Sequence, residues 1–130
     1  MFGQYLAVMI GGAFGAVLRY GVSVWVTAVP WKILGINWVG CFLLGLLHAY
    51  AARTGRVPEW VRVGLGTGVL GGFTTFSTFS VDSVTLLRHG QWGELTLYVV
   101  GSLVGGVLLA WAGTWLGRRG RSGIAQEVAR

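Results

Sequence analysis

The sequence predicts an all-α membrane protein of four transmembrane helices, the third of them broken, in a single domain over residues 1–130. Three observations carry that reading. Of 130 residues, 54% are hydrophobic and only 11% are charged, with a mean hydropathy of +0.67; a soluble domain carries about 25% charged residues. The apolar residues fall in long runs, at roughly 4–28, 33–52, 62–87 and 95–117, each reaching or exceeding the ~20 residues that a helix needs to cross the hydrocarbon core. The connections, about 29–32, 53–61 and 88–94, leave no room for a second domain. Such short links impose a helical hairpin topology with both termini on one side of the membrane.

The first run, 4–28, has no Lys or Arg before it and is too long for the apolar core of a cleaved signal. Arg19 lies two-thirds of the way along it. A charge at that depth costs at least ~2.5–3.5 kcal/mol on insertion scales and calls for a reason. Two readings stand: a side chain that snorkels to the near interface, or a cation at the base of a water-filled vestibule that concentrates anions.

The second run, 33–52, begins after Trp31 and Lys32 and carries Asn37 in the string Asn-Trp-Val-Gly-Cys-Phe. An amide offers two N–H donors and an acceptor. It serves either an interhelical hydrogen bond or a donor aimed at a permeating anion. Cys41 is the only cysteine, so no intrachain disulfide forms. His48 is a lone histidine with no companions for a metal site, and reads as structural.

The third run, 62–87, contains GGFTTFSTFS at 71–80: two adjacent glycines, five hydroxyl side chains and three phenylalanines spaced three apart. At helical spacing Phe73, Phe76 and Phe79 share a face. Gly71 and Gly72 followed by Thr74 and Thr75 suit a helix that breaks and restarts, with Thr capping the new N-terminus and the break freeing backbone carbonyls. Inside a bilayer such a break persists only where it is buried or lines a cavity, and it marks an ion or substrate site. Half-helix N-termini and hydroxyl protons favour anions, and a phenyl ring has a positive edge that can meet one. Asp82, near the end of this run, either reaches water or carries a proton.

The fourth run, 95–117, offers Ser102 as its mid-span hydroxyl and no clear site residue. A basic tail, 118–130, follows it with Arg-Arg-Gly-Arg at 118–121. The net charge of +6 therefore reads as an orientation signal and lipid-headgroup contact rather than a nucleic-acid surface. Trp25, Trp31, Trp60, Trp92 and Trp115 stand near the expected ends, as interfacial anchors do; Trp38 and Trp111 lie deeper and read as packing residues. Pro30 and Pro58 fall in connections. Gly11 with Gly15, the series Gly64, Gly68 and Gly72, and Gly101 with Gly105 recur at four-residue steps, which lets helix backbones approach closely. No nucleophile–base or metal-ligand pattern points to an enzyme.

The set GGAFGAVLRY (11–20), NWVGCFLLG (37–45) and GVLGGFTTFSTFS (68–80) resembles the Fluc/CrcB family of fluoride channels over three of the four spans. The resemblance implies passive, selective fluoride efflux across the cell (inner) membrane by an antiparallel, dual-topology dimer, with two pathways along the subunit interfaces. It places Asn37, Phe76 and Phe79 in the pathway, with hydroxyls from Ser77, Thr78 and Ser80, and Arg19 in an aqueous vestibule. It also implies a structural Na+ at the dimer interface, held by the backbone carbonyls of Gly71 and Thr74. The rival reading is a proton-coupled small multidrug-type transporter, which needs a membrane-embedded carboxylate in its cavity; span one has an Arg and no acid. A purely structural membrane subunit leaves TTFSTF unexplained.

Orientation adds a constraint. The terminal side with the 53–62 connection carries seven cations, Arg53, Arg56, Arg62, Arg118, Arg119, Arg121 and Arg130; the other side carries two, Lys32 and Arg88. That bias favours cytoplasmic termini. Either the tail arginines count only in part and the chain inserts both ways as a homodimer, the favoured reading, or an oppositely oriented homologous subunit supplies the partner.

Overall fold

The computed structural model describes residues 2–26 and 30–119, and every regular element among them is helical. The helices are α1 (Phe2–Trp25), α2 (Trp31–Thr54), α3 (Glu59–Val63), a π-helical stretch (Gly64–Leu70), α4 (Gly71–Phe73), α5 (Phe76–Arg88) and α6 (Trp92–Arg118). Residues 27 and 28 of the first expected span lie outside the described residues, as does the basic tail from 120 onward, including Arg121 and Arg130. Helices α1, α2 and α6 are each long and apolar enough to cross a membrane. The remaining crossing, Glu59 to Arg88, is made in pieces, with the break at Thr74 and Thr75.

Lipid removes the hydrophobic force between helices, so close packing must hold them together. The glycines supply it. A Cβ on Gly15 would collide with the Val69 carbonyl, and one on Gly72 with the carbonyl of Gly12. These contacts seat α1 against the π-helical stretch and α4. On the other side of the molecule a Cβ on Gly113 would collide with the Phe42 carbonyl, which seats α6 against α2. Gly101 and Gly105 work differently: the Gly101 carbonyl accepts from Trp38 Nε1 at 3.1 Å, and the Trp38 ring lies on Gly105.

The π-helical stretch also follows from its composition. Gly64-Leu-Gly-Thr-Gly has few side chains to hold a tight register, and the Gly71 N–H reaches back five residues to the Gly66 carbonyl. Such segments recur at functional sites.

The tryptophans mark the ends as expected, with Trp25 closing α1, Trp31 opening α2 and Trp92 opening α6. Trp111 differs from its expected packing role. It is 66% exposed on the outer face of α6, because α6 turns its small residues, not its large ones, toward α2. Large apolar side chains cover the outside, as on Met9, Val17, Leu103 and Val107, which suits lipid or another protein surface. The small interior cluster is Leu34, Leu86 and Tyr98, with Trp38, Phe79 and Leu95 against it.

The glycine seams yield a direct test. Gly15→Leu should destabilise the protein by about 1–3 kcal/mol or more through overpacking, read as a loss of thermal stability in detergent. Gly93→Ala, where nothing lies within 4 Å of the added Cβ, should be neutral or slightly stabilising.

Candidate ion pathway at the helix break

A break in a membrane-embedded helix leaves backbone groups that must find partners within the protein. Thr74 (φ −77°, ψ 158°) and Thr75 (φ −148°, ψ 125°) are both extended. Asn37 on α2 meets Thr75 on both sides: its Nδ2 donates to the Thr75 carbonyl at 3.0 Å, and its Oδ1 accepts from the Thr75 N–H at 2.9 Å. The amide thus stands in for a second strand. The interhelical hydrogen bond is realised, and the second Nδ2 proton remains beyond it.

The same geometry caps α5. Thr75 Oγ1 accepts from the Thr78 N–H at 3.2 Å, and lies 3.1 Å from Thr78 Oγ1 and 3.2 Å from Ser77 Oγ. Thr75 is buried, at 6% exposure. Thr74 Oγ1 donates back to the Leu70 carbonyl at 3.0 Å, closing the upstream half.

These diversions free two carbonyls in particular. In an unbroken helix the Gly71 carbonyl would accept from the Thr75 N–H and the Thr74 carbonyl from the Thr78 N–H. Here the first donor goes to Asn37 and the second to Thr75 Oγ1. Two neutral oxygens are therefore released by the break, the donor type that a hard cation prefers. Among the described residues no group of three or more His, Cys, Asp or Glu forms a metal site.

A cavity of about 350 Å³ opens against the break. It brings together Asn37, Gly71, Thr74, Phe76 and Phe79 of the residues expected at the site, and adds Thr75 and Ser102. The Phe76 and Phe79 rings stand 5.8 Å apart, tilted by 34°. Phe76 is 79% exposed. Ser77 and Thr78 join the cavity only through their contacts with Thr75. Ser80 lies outside it, its hydroxyl proton given to the Phe76 carbonyl at 2.9 Å. Arg19, half-buried near the end of α1, also lies outside it. Phe73 departs from its expected place: it belongs to α4, ahead of the break, so the helical stripe it was to share with Phe76 and Phe79 is interrupted.

Two residues acquire roles that span four alone did not reveal. Ser102 Oγ is buried without a hydrogen-bond partner among the described residues, and it lines the cavity. An orphaned hydroxyl at membrane depth is an unmet donor and costs about 1–3 kcal/mol if nothing meets it. Tyr98, one helical turn earlier, is fully buried. Its ring lies 5.1 Å from Phe79 and edge-on to Trp31 at 6.4 Å, while its hydroxyl donates to Asp82 Oδ2 at 3.3 Å. Asp82 thus points inward to Tyr98. The signal available in the sequence was the four-residue step from Tyr98 to Ser102, which puts both on one face of α6.

Comparison with known proteins agrees with this architecture. Residues 6–114 match the family model described as CrcB-like protein, Camphor Resistance (CrcB). The chain is 45% identical over 118 residues to a protein of Chloroflexus aurantiacus named fluoride-specific ion channel FluC, covering 87% of this chain and 94% of that one. It is 44% identical over 119 residues to a FluC of Thermus thermophilus, covering 88% and 93%, and 43% identical over 118 residues to FluC 1 of Bacillus cereus, covering 87% and 82%. A helical membrane architecture broken at a glycine–threonine junction, and matched at this identity over nearly its whole length, makes this chain a member of the CrcB family.

Proposed function

We propose that the protein is a fluoride-selective channel through which fluoride leaves the cell passively across the membrane, lowering its toxicity inside. The observation that carries the reading is the cavity at the break. It offers an amide, hydroxyls and two phenyl rings, and no charged side chain lines it. Fluoride is small and strongly hydrated, so a pathway must replace its water with a dense set of donors and ring edges. A cationic side chain in contact with the permeating ion would hold it too tightly to release it. The proton-coupled alternative needs a carboxylate there, and Asp82 instead meets Tyr98. The relatives named as fluoride-specific channels support the same conclusion.

The pathway is completed by a second copy of the chain in the opposite orientation. Phe76, 79% exposed in one chain, gives this reading its support, since a ring meant for an anion cannot face lipid. Asn37, Phe76, Phe79 and Ser102 line each of two pathways, with Ser77 and Thr78 presenting hydroxyls at the start of α5. Ser80 takes part only by turning its proton away from Phe76. Arg19 gathers anions in the vestibule. The carbonyls of Gly71 and Thr74, released by the break, would hold a structural Na+ between the two copies. Bound there, it would offset repulsion between those carbonyls.

Protein reconstituted into liposomes should dissipate a fluoride gradient without a proton or sodium gradient, with chloride flux far smaller. Comparable chloride flux sinks the selectivity, and drug-driven proton flux would establish the transporter alternative instead.

The rings should matter for their edges. Phe76→Ile and Phe79→Ile keep apolar bulk but remove a quadrupole interaction of about 0.5–1.5 kcal/mol, so each should slow fluoride flux by up to about tenfold in a protein that still folds. Wild-type flux in both variants excludes the role.

Dual topology is testable with Gln91→Cys, exposed ahead of α6, in a Cys41→Ser background. Labelling from both sides of sealed vesicles in similar amounts supports the homodimer. Labelling from one side alone means that an oppositely oriented homologous chain is required.

A further inference from the structure

A second cavity, of about 560 Å³, lies between the ends of α2 and α6, lined by His48, Ala49, Ala52, Arg53, Thr114 and Arg118. We infer that it binds the phosphate of an anionic phospholipid headgroup. Its volume falls in the range of ordinary ligand sites. No carboxylate lines it, so its cations are not neutralised from within.

The charge balance favours an anion. Helices α2 and α6 both end here, and each C-terminus contributes about −0.5 of a charge. Two guanidinium groups exceed that sum. Arg53 stands over the Tyr50 ring at 5.2 Å, which restricts a long side chain before any ligand arrives. Arginine's planar fork matches phosphate oxygens in pairs. His48 Nδ1 donates to the Leu44 carbonyl at 3.0 Å, which fixes the ring but leaves Nε2 an acceptor in the neutral imidazole, so the two arginines carry the recognition. Thr114 contributes no proton, since its hydroxyl donates to the Ala110 carbonyl at 2.8 Å.

Position distinguishes a lipid from a soluble ion. The cavity lies where two membrane-length helices end, near Trp115, over which the Arg119 guanidinium lies at 3.2 Å; tryptophans of this kind anchor at headgroup level. Below it runs the outer face of α6, with Trp111 66% and Leu108 58% exposed. That face gives acyl chains an apolar surface directly beneath the bound phosphate. Basic pockets between membrane helices bind anionic headgroups in this way. The site stands apart from the cavity at the break and does not depend on the proposed transport.

The test uses full-length protein purified in detergent, with native mass spectrometry reading the lipid retained. Phosphatidylglycerol, phosphatidylcholine and inorganic phosphate are separate probes. Phosphatidylglycerol should be retained in preference to phosphatidylcholine. The pair Arg53→Gln with Arg118→Gln should weaken it at least about tenfold, while Arg88→Gln, at the opposite end, should leave it unchanged. Should the glutamine pair fail to fold, Arg53→Lys with Arg118→Lys keeps the charge but loses the fork, and should weaken retention several-fold. Equal retention of the two lipids overturns the site, as does unchanged retention in the folded arginine variants. Inorganic phosphate competing as well as the lipid would reassign the cavity to soluble oxyanions and overturn the lipid assignment.

Discussion

The pairing of the Asn37 amide with both backbone groups of Thr75 is the interaction on which the rest of the site depends. An extended residue pair at membrane depth exposes N–H and C=O groups that lipid cannot satisfy, at a cost of several kcal/mol each. Asn37 meets one of each, and Thr75 Oγ1 meets a third group, the Thr78 N–H. With these three bonds in place, two extended residues can separate α4 from α5. Without them the segment would close into a continuous helix, and the carbonyls of Gly71 and Thr74 would return to the ladder.

That pairing depends in turn on close packing. Asn37 reaches Thr75 only because α2 lies against the break, where Gly40 leaves space for the Thr74 methyl group that a Cβ would fill. The upstream half is held by α1 through Gly15 and Gly72, and α6 by α2 through Gly113. Glycine therefore acts at two levels. It weakens the third crossing enough to permit a π-helical stretch, and it supplies the contacts that hold the weakened segment in place.

Much of this was legible in the sequence, and the parts that were not share a physical cause. The spans follow from composition and run length, which bilayer thickness converts directly into helices. The break and its threonine cap are local chemistry: Gly71 and Gly72 loosen the helix, and Thr75 offers a side-chain acceptor one step before the restart. Phe73 was misplaced because helical spacing was carried across the break that the same residues predict. The spacing of Tyr98 and Ser102 puts them on one face of α6, but does not tell which way that face turns. The helix is apolar nearly all round, so no amphipathic stripe reveals that face. Only the packing of α6 against α2 and α5 reveals it, by leaving Ser102 Oγ without a partner and Tyr98 wholly buried.

The distribution of charge completes the argument. Every described Lys and Arg other than Arg19 lies at a helix end or in a connection, while the cavity at the break holds neutral donors and rings. A cationic side chain in direct contact with the ion at that depth would create a well from which it leaves slowly. Cations near the surface raise the local anion concentration without creating such a well. Neutral donors at the centre then face one task, to replace the hydration of the ion, and they perform it in proportion to how closely they converge. On the proposed pathway, selectivity would come from the rigidity with which Asn37, the hydroxyls and the Phe76–Phe79 pair are held, and so from the same glycine seams and amide pairing that allow the helix to break.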